Sequence, residues 1–304
     1  QSASPSALAA ERGVKRAIVM CDATSYARDL VNECASRMTP RMLVNAANAI
    51  AEAEPERISV KIHDERRLEA LGAGGVLAVG NGSDEPSFMI HLTYRPPATK
   101  KATKKRVAIV GKGITFDSGG LSLKDSTGMQ DMKIDMAGCA AMLGVFTALA
   151  KLQPDVEVHG ISAVCENMPS GKAIRPGDVV RTIGGKTIEI LNTDAEGRVT
   201  LADALCYAVK LQPDAIIDIA TLTGACMGAL GTDIAGLFSN DEKLSVALLS
   251  AANAEGEALW KLPLFDPYRK MMESTVADLK NISGARHGGA ITAAMFLRKF
   301  TGKY

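Results

Sequence analysis

Arg106-Val-Ala-Ile-Val110, then Ala137-Gly-Cys-Ala-Ala-Met-Leu-Gly-Val-Phe-Thr-Ala-Leu-Ala-Lys-Leu152, then Val156-Glu-Val-His-Gly-Ile-Ser-Ala-Val164 decide the fold. The first and third runs have strand length and β-branched content. The second is an apolar helix rich in Ala, Met and Leu. A strand, a helix and a strand in succession form a crossover unit, and crossover units build parallel sheets. Outward from this unit the pattern continues. Ile58–His63 alternates like a strand, and Val76–Val79, Phe88–Tyr94, Thr187–Leu191, Ala215–Ala220 and Ile234–Phe238 are further strand candidates. Helices are predicted over Ser6–Met38, Pro40–Glu54, Thr200–Leu211, Glu242–Glu255 and Ala290–Phe300, the second starting on a proline. The fold class is therefore α/β: a mixed, largely parallel central sheet covered by helices on both faces. In such sheets sites gather beyond the carboxyl ends of the strands.

Composition excludes little and adds little. Hydrophobic residues are 47% and charged residues 23% of 304, enough to bury a sizeable core. A net charge of +1 implies neither nucleic acid nor an anionic membrane as partner. The basic run from Lys100 to Arg106 is read as a solvated loop before a strand. No apolar run is read as long enough to span a bilayer, and the polar N-terminus does not resemble a signal peptide. The cysteines at 21, 34, 139, 165, 206 and 226 form no CxxC pair, which fits a reducing, cytoplasmic setting.

Three segments concentrate functional groups. Gly111-Lys-Gly-Ile-Thr-Phe-Asp-Ser-Gly-Gly120, continuing to Lys124, follows the first strand as a glycine-rich loop. It lacks phosphate-loop spacing, and Asp117 would repel a phosphate. Met132-Lys-Ile-Asp-Met136 precedes the apolar helix, where Asp135 taken alone reads as a helix cap. Asn192-Thr-Asp-Ala-Glu-Gly-Arg198 lies between a strand and a helix. An extended backbone there would put Asp194 and Glu196 on one side. Four gathered carboxylates, Asp117, Asp135, Asp194 and Glu196, repel one another unless cations lie among them. Two divalent ions would resolve this and make a hydrolase site. Oxygen donors favour Zn, Mn, Co or Mg over copper. His63, His91, His159 and His287 lack partners at ligand spacing and read as packing or surface residues.

These segments resemble the leucyl-aminopeptidase family of cytosol aminopeptidases. Asn192–Arg198 matches the family signature without substitution, and Lys112, Asp117, Lys124 and Asp135 match its other site residues in type and order. The match extends to Ala27–Asn32, Asn81-Gly82-Ser83 and Asp278–Leu297. The resemblance implies a two-metal site at the carboxyl ends of strands. Asp117 and Glu196 would bridge both ions, Asp194 would complete the exchangeable site, and Lys112 and Asp135 would complete the tighter one. Lys112 as a ligand must be a neutral amine, its pKa lowered by cations and burial. The implied reaction is hydrolysis of the N-terminal residue, leucine and similar, from peptides by a water held between the ions. Lys124 would donate to the oxyanion, and Arg198 would hold a bicarbonate that carries the proton. Met132, Thr221 and Gly224 would line the pocket for the first side chain, and Leu222 would offer its carbonyl to substrate. A homo-hexamer is also implied. Residues 1–38 correspond to a linking helix region, and 39–304 to the catalytic domain. The family's N-terminal domain and its C-terminal end are read as lying outside this chain. A binding or regulatory protein that keeps the fold but has lost catalysis, a DNA-binding regulator or a scaffold, is the competing class. The near-neutral charge and the complete ligand set weigh against it.

Overall fold

A computed structural model describes residues 5–98 and 105–304. In chain order the helices are α1 (Pro5–Asn32), α2 (Pro40–Ala53), α3 (Glu65–Leu71), α4 (Gly74–Gly80), α5 (Ser126–Met129), α6 (Ala137–Leu152), α7 (Gly197–Lys210), α8 (Gly224–Leu230), α9 (Glu242–Glu255) and α10 (Gly289–Leu297). The strands are β1 (Ile58–His63), β2 (Phe88–Tyr94), β3 (Arg106–Gly111), β4 (Gly113–Asp117), β5 (Glu157–Asn167), β6 (Val179–Arg181), β7 (Thr187–Glu189), β8 (Ala215–Ile219), β9 (Ala235–Leu237), β10 (Leu259–Lys261) and β11 (Leu279–Lys280). Most of the basic run, Lys100–Lys104, lies outside the described residues.

The central sheet has the order β1-β2-β5-β3-β8, with β4 also on β5. β1 and β2 are antiparallel to their neighbours, whereas β3, β4, β5 and β8 run parallel. Alternation along the strands feeds two cores. Ile90 and Leu92 face α2 and α6, with Tyr26, Ala27 and Leu30 of α1 packed beside them. Met89, Ala108 and Val110 face α4, α7 and α10. The mixed sheet with helices on both faces is the predicted class.

The first helix ends at Asn32 rather than Met38, with residues 33–38 in turns and bends, and four other local expectations fail, each for a physical reason. Val76–Val79 is not a strand but part of α4. A four-residue apolar run between glycines has no decisive period. Here the buried Asp203 carboxylate accepts the Val76 and Ile183 amides at 3.0 and 2.7 Å, which favours a helix start over a strand. The stretch after Gly111 is not all loop: Gly113, Ile114 and Asp117 pair with β5 as β4, with a bulge between Ile114 and Asp117. α7 starts at Gly197 rather than Thr200, and Glu196 is its N-cap. Lastly, the 3-10 turn Met132–Met136 and α6 together make a 21-residue segment long and apolar enough to cross a membrane by length and composition. Met136, Cys139, Met142, Leu143 and Phe146 of this segment are fully buried in the core, and Met132, Ile134 and Val145 are half-buried.

The break between β3 and β4 falls on Lys112, and it positions the site. The Lys112 amide donates to the carbonyl of Ile219 at the end of β8 (3.0 Å), and its carbonyl accepts from Cys139 in α6 (2.8 Å). This close contact needs glycine: a Cβ on Gly138 would lie 2.0 Å from the Ile219 oxygen. One residue at the carboxyl ends of the parallel strands is thus fixed by three elements at once.

Candidate metal centre

The site assembles from the ends of these elements. Lys112 comes from the β3–β4 break, Asp117 from the end of β4 and Asp135 from the turn before α6. Glu196 occupies the position just before α7, with no capping hydrogen bond from its side chain, and Asp194 sits in the turn before it. One carboxylate oxygen each from Asp117, Asp135 and Glu196 lie within 4.8 Å of one another, all buried. Asp135 is not a helix cap. Its Oδ1 accepts from Lys112 Nζ at 2.6 Å and from the Thr221 hydroxyl at 2.9 Å. Asp194 is not one of this triplet, although it lines the same cavity as Glu196. Residues 192–195 form a turn, in which the Ala195 amide donates to Asn192 (3.2 Å), rather than an extended segment. Asp194 joins the site through Lys124, whose ammonium pairs with it and with Asp117 (2.9 Å).

Burial dominates the electrostatics. It pushes the Glu196 carboxyl up to about 8, against Lys112 and with the charges of Asp117 and Asp135. Asp135 and Asp194 also lie above the ordinary carboxylate value, first through burial, each opposed by its lysine. Burial alone would lower both lysines. Lys112 is nevertheless held above its ordinary value by Asp135 and Glu196, and Lys124 by its hydrogen bonds to Asp194 and Asp117. The Lys112 nitrogen lies 2.6 Å from Asp135 and 3.0 Å from Glu196. Cations among the carboxylates would reverse that balance.

The donor set fits divalent cations. The buried oxygens Asp135 Oδ2, Asp194 Oδ1 and Glu196 Oε1 accept no hydrogen bond of good angle from the described residues and meet only the two ammonium groups. Buried acceptors in that condition are costly unless a cation takes them. Arg198 is buried close by in sequence. Its Nη1 donates to the Asn281 carbonyl (2.8 Å), its Nε has no partner among the described residues, and burial lowers it to about 10 against the pull of Glu196.

A cavity of about 760 Å³ opens over the site, lined among others by Met132, Thr221, Leu222 and Gly224. Thr221 also holds the site directly, since its carbonyl accepts from Lys112 Nζ at 3.1 Å. His63, His91 and His159 lie elsewhere, in a hydrogen-bonded chain with Tyr207, and His287 is exposed.

Sequence reasoning missed the uncharged residues that tie the segments together. Asn167, at the end of β5, donates to Asp117 Oδ1 (2.8 Å) and to the Thr193 carbonyl (3.1 Å). Thr193 donates to the Gly119 carbonyl (2.6 Å), and Thr193 and Ser122 exchange amide-to-hydroxyl hydrogen bonds. Asn281 follows β11. A polar residue at or just beyond the end of a strand is the one available signal, and Asn167 and Asn281 both carry it.

Residues 25–304 match the catalytic domain of the cytosol aminopeptidase family. The chain is 51% identical to a probable cytosol aminopeptidase of Gloeobacter violaceus over 95% of its length, covering 56% of that protein. It is 48% identical to one of Persephonella marina over 97% of its length and 50% identical to one of Methylibium petroleiphilum over 98%, covering 58% and 60% of them. The chain thus spans less than two thirds of the length of these curated relatives. With its match covering all three site segments, this chain belongs to the cytosol aminopeptidase family, through that family's catalytic domain.

Proposed function

We propose that this chain carries the chemistry of a metal-dependent aminopeptidase that releases the N-terminal residue, leucine and similar, from peptides. The observation that carries the reading is the buried triplet Asp117, Asp135 and Glu196, within 4.8 Å of one another and faced by lysines. Lys112, Asp117, Asp135, Asp194 and Glu196 would hold two divalent ions of the Zn, Mn, Co or Mg class. Bound there, such ions supply Lewis acidity and a water of lowered pKa.

The chain's own residues supply the rest. Neutralisation of Asp117 and Asp194 leaves the Lys124 ammonium able to donate to an oxyanion developing at the cavity floor. Among the described residues no histidine lines the cavity as a base. Arg198, with its unpaired Nε, would hold a planar anion such as bicarbonate to take up the proton. Met132, Thr221, Leu222 and Gly224 would receive the first side chain and its backbone. A cytoplasmic homo-hexamer acting on peptide N-termini, without nucleic acid or membrane as partner, completes the proposal.

The test is an amidase assay on the chelator-stripped chain with Mn or Zn restored. Leucine amide should be cleaved, N-acetyl-leucine amide should not, and Glu196→Ala should abolish turnover. Equal cleavage of the blocked substrate, or undiminished turnover by Glu196→Ala, overturns the proposal.

A further inference from the structure

Asn281 is fully buried, and every polar group it owns is bonded to residues 189–198. Its amide donates to the Glu189 carbonyl (2.9 Å). Its Oδ1 accepts from the amides of Leu191 (2.9 Å) and Asn192 (3.3 Å). Its Nδ2 donates to the carbonyls of Asn192 (2.6 Å) and Ala195 (3.4 Å). Its own carbonyl accepts from Arg198 Nη1 (2.8 Å). Residues 192–195 make no strand or helix, so their peptide groups depend on such partners. A carboxamide is the one side chain of this size that accepts two amides and donates to two carbonyls. Aspartate could do only the first half.

The geometry points to Asn281 as a positioning residue of the metal centre: it clamps the turn that carries Asp194 and leads into Glu196, and it fixes the Arg198 guanidinium, without touching substrate or ion. The inference rests on the proposed metal-dependent reading. β11 is the element that delivers it. β11 pairs parallel with β7, and the Asp278 carboxylate pins it there by accepting the Thr187 amide and hydroxyl, both at 2.8 Å. A merely structural role for Asn281 would be docking β11, and Thr187→Ala weakens that docking without altering the Asn281 side-chain bonds.

The experiment compares wild type, Asn281→Ala, Asn281→Asp and Thr187→Ala. It measures Mn affinity by titration calorimetry and, in the metal-free proteins, hydrogen exchange of the peptide spanning 191–196. Asn281→Ala should lose about ten- to a hundred-fold in Mn affinity, the range for partners that orient ligands. Exchange at 191–196 should accelerate while α6 and β5 keep their protection. Asn281→Asp should follow it, and it serves as the variant to read if the alanine protein does not fold. Thr187→Ala should keep its Mn affinity within about twofold. Mn affinity and exchange unchanged in the Asn281 variants, or Thr187→Ala losing affinity as much as they do, overturns the inference and leaves the proposed function standing. A wild-type chain that takes up no Mn overturns both.

Discussion

The Lys112 ammonium lies 2.6 Å from the Asp135 carboxylate, and neither side chain is more than 5% exposed. Glu196 stands 3.0 Å from the same ammonium. In the metal-free protein Lys112 is thus the internal counter-cation of the buried triplet, and removing it strands like charges in a low dielectric. Lys112→Met is expected to cost the chelator-treated protein about 3–5 kcal/mol, the scale for a broken buried pair. Urea unfolding measures it. A loss below about 1 kcal/mol would mean the pair contributes nothing to the metal-free fold.

Gly197 separates the site from the scaffold. A Cβ there would lie 2.2 Å from Lys112 Cε and 2.6 Å from its Nζ, while the backbone of the first α7 residue accepts alanine freely. Gly197→Ala is expected to fold at an overpacking cost of about 1–3 kcal/mol. Its main effect should be weaker Mn binding, because the displaced atom is the Lys112 nitrogen. Circular dichroism and a Mn titration check both halves. Wild-type affinity in a folded variant would contradict the role given to Lys112.

The histidine chain sets an acid limit on stability. His91 is buried between the Tyr207 hydroxyl (3.1 Å) and His159 (3.0 Å), and His159 in turn meets Glu157 (3.0 Å). Burial pushes His91 down to about 3, and the charges of His159, Lys61 and His63 add to it. Between that value and the ordinary histidine value near 6.5 the unfolded chain holds a proton that the folded chain does not. Stability is therefore complete above about pH 6.5 and falls as pH drops toward 3, by up to about 1.4 kcal/mol per unit for this group. Urea midpoints at pH 5, 6 and 7 should show the decline, and His91→Gln should flatten it. An identical slope in the variant would assign the acid sensitivity elsewhere.

Elements with length and a clear period were legible: α6 and α9 run over the predicted residues, and β1 and β2 likewise. Short or glycine-flanked runs were not, because tertiary partners decide them: Asp203 for α4, β5 for β4. The carboxylates and lysines of the site could be read because charge in an apolar context is conspicuous and the motifs resemble a known family. Their arrangement could not. The turn at 192–195 brings Asp194 to Lys124, which also pairs with Asp117, and that turn is held by Asn281, an uncharged residue 83 positions beyond Arg198. No local signal links the two.

The most direct measurement is calorimetric titration of the chelator-stripped chain with Mn, beside Glu196→Ala. The wild type should take up two ions per chain and Glu196→Ala should lose that binding, since Glu196 is the buried carboxylate expected to be shared between both ions. No Mn uptake by the wild type, or two ions bound equally well by Glu196→Ala, would contradict a two-metal centre built on Asp117, Asp135 and Glu196.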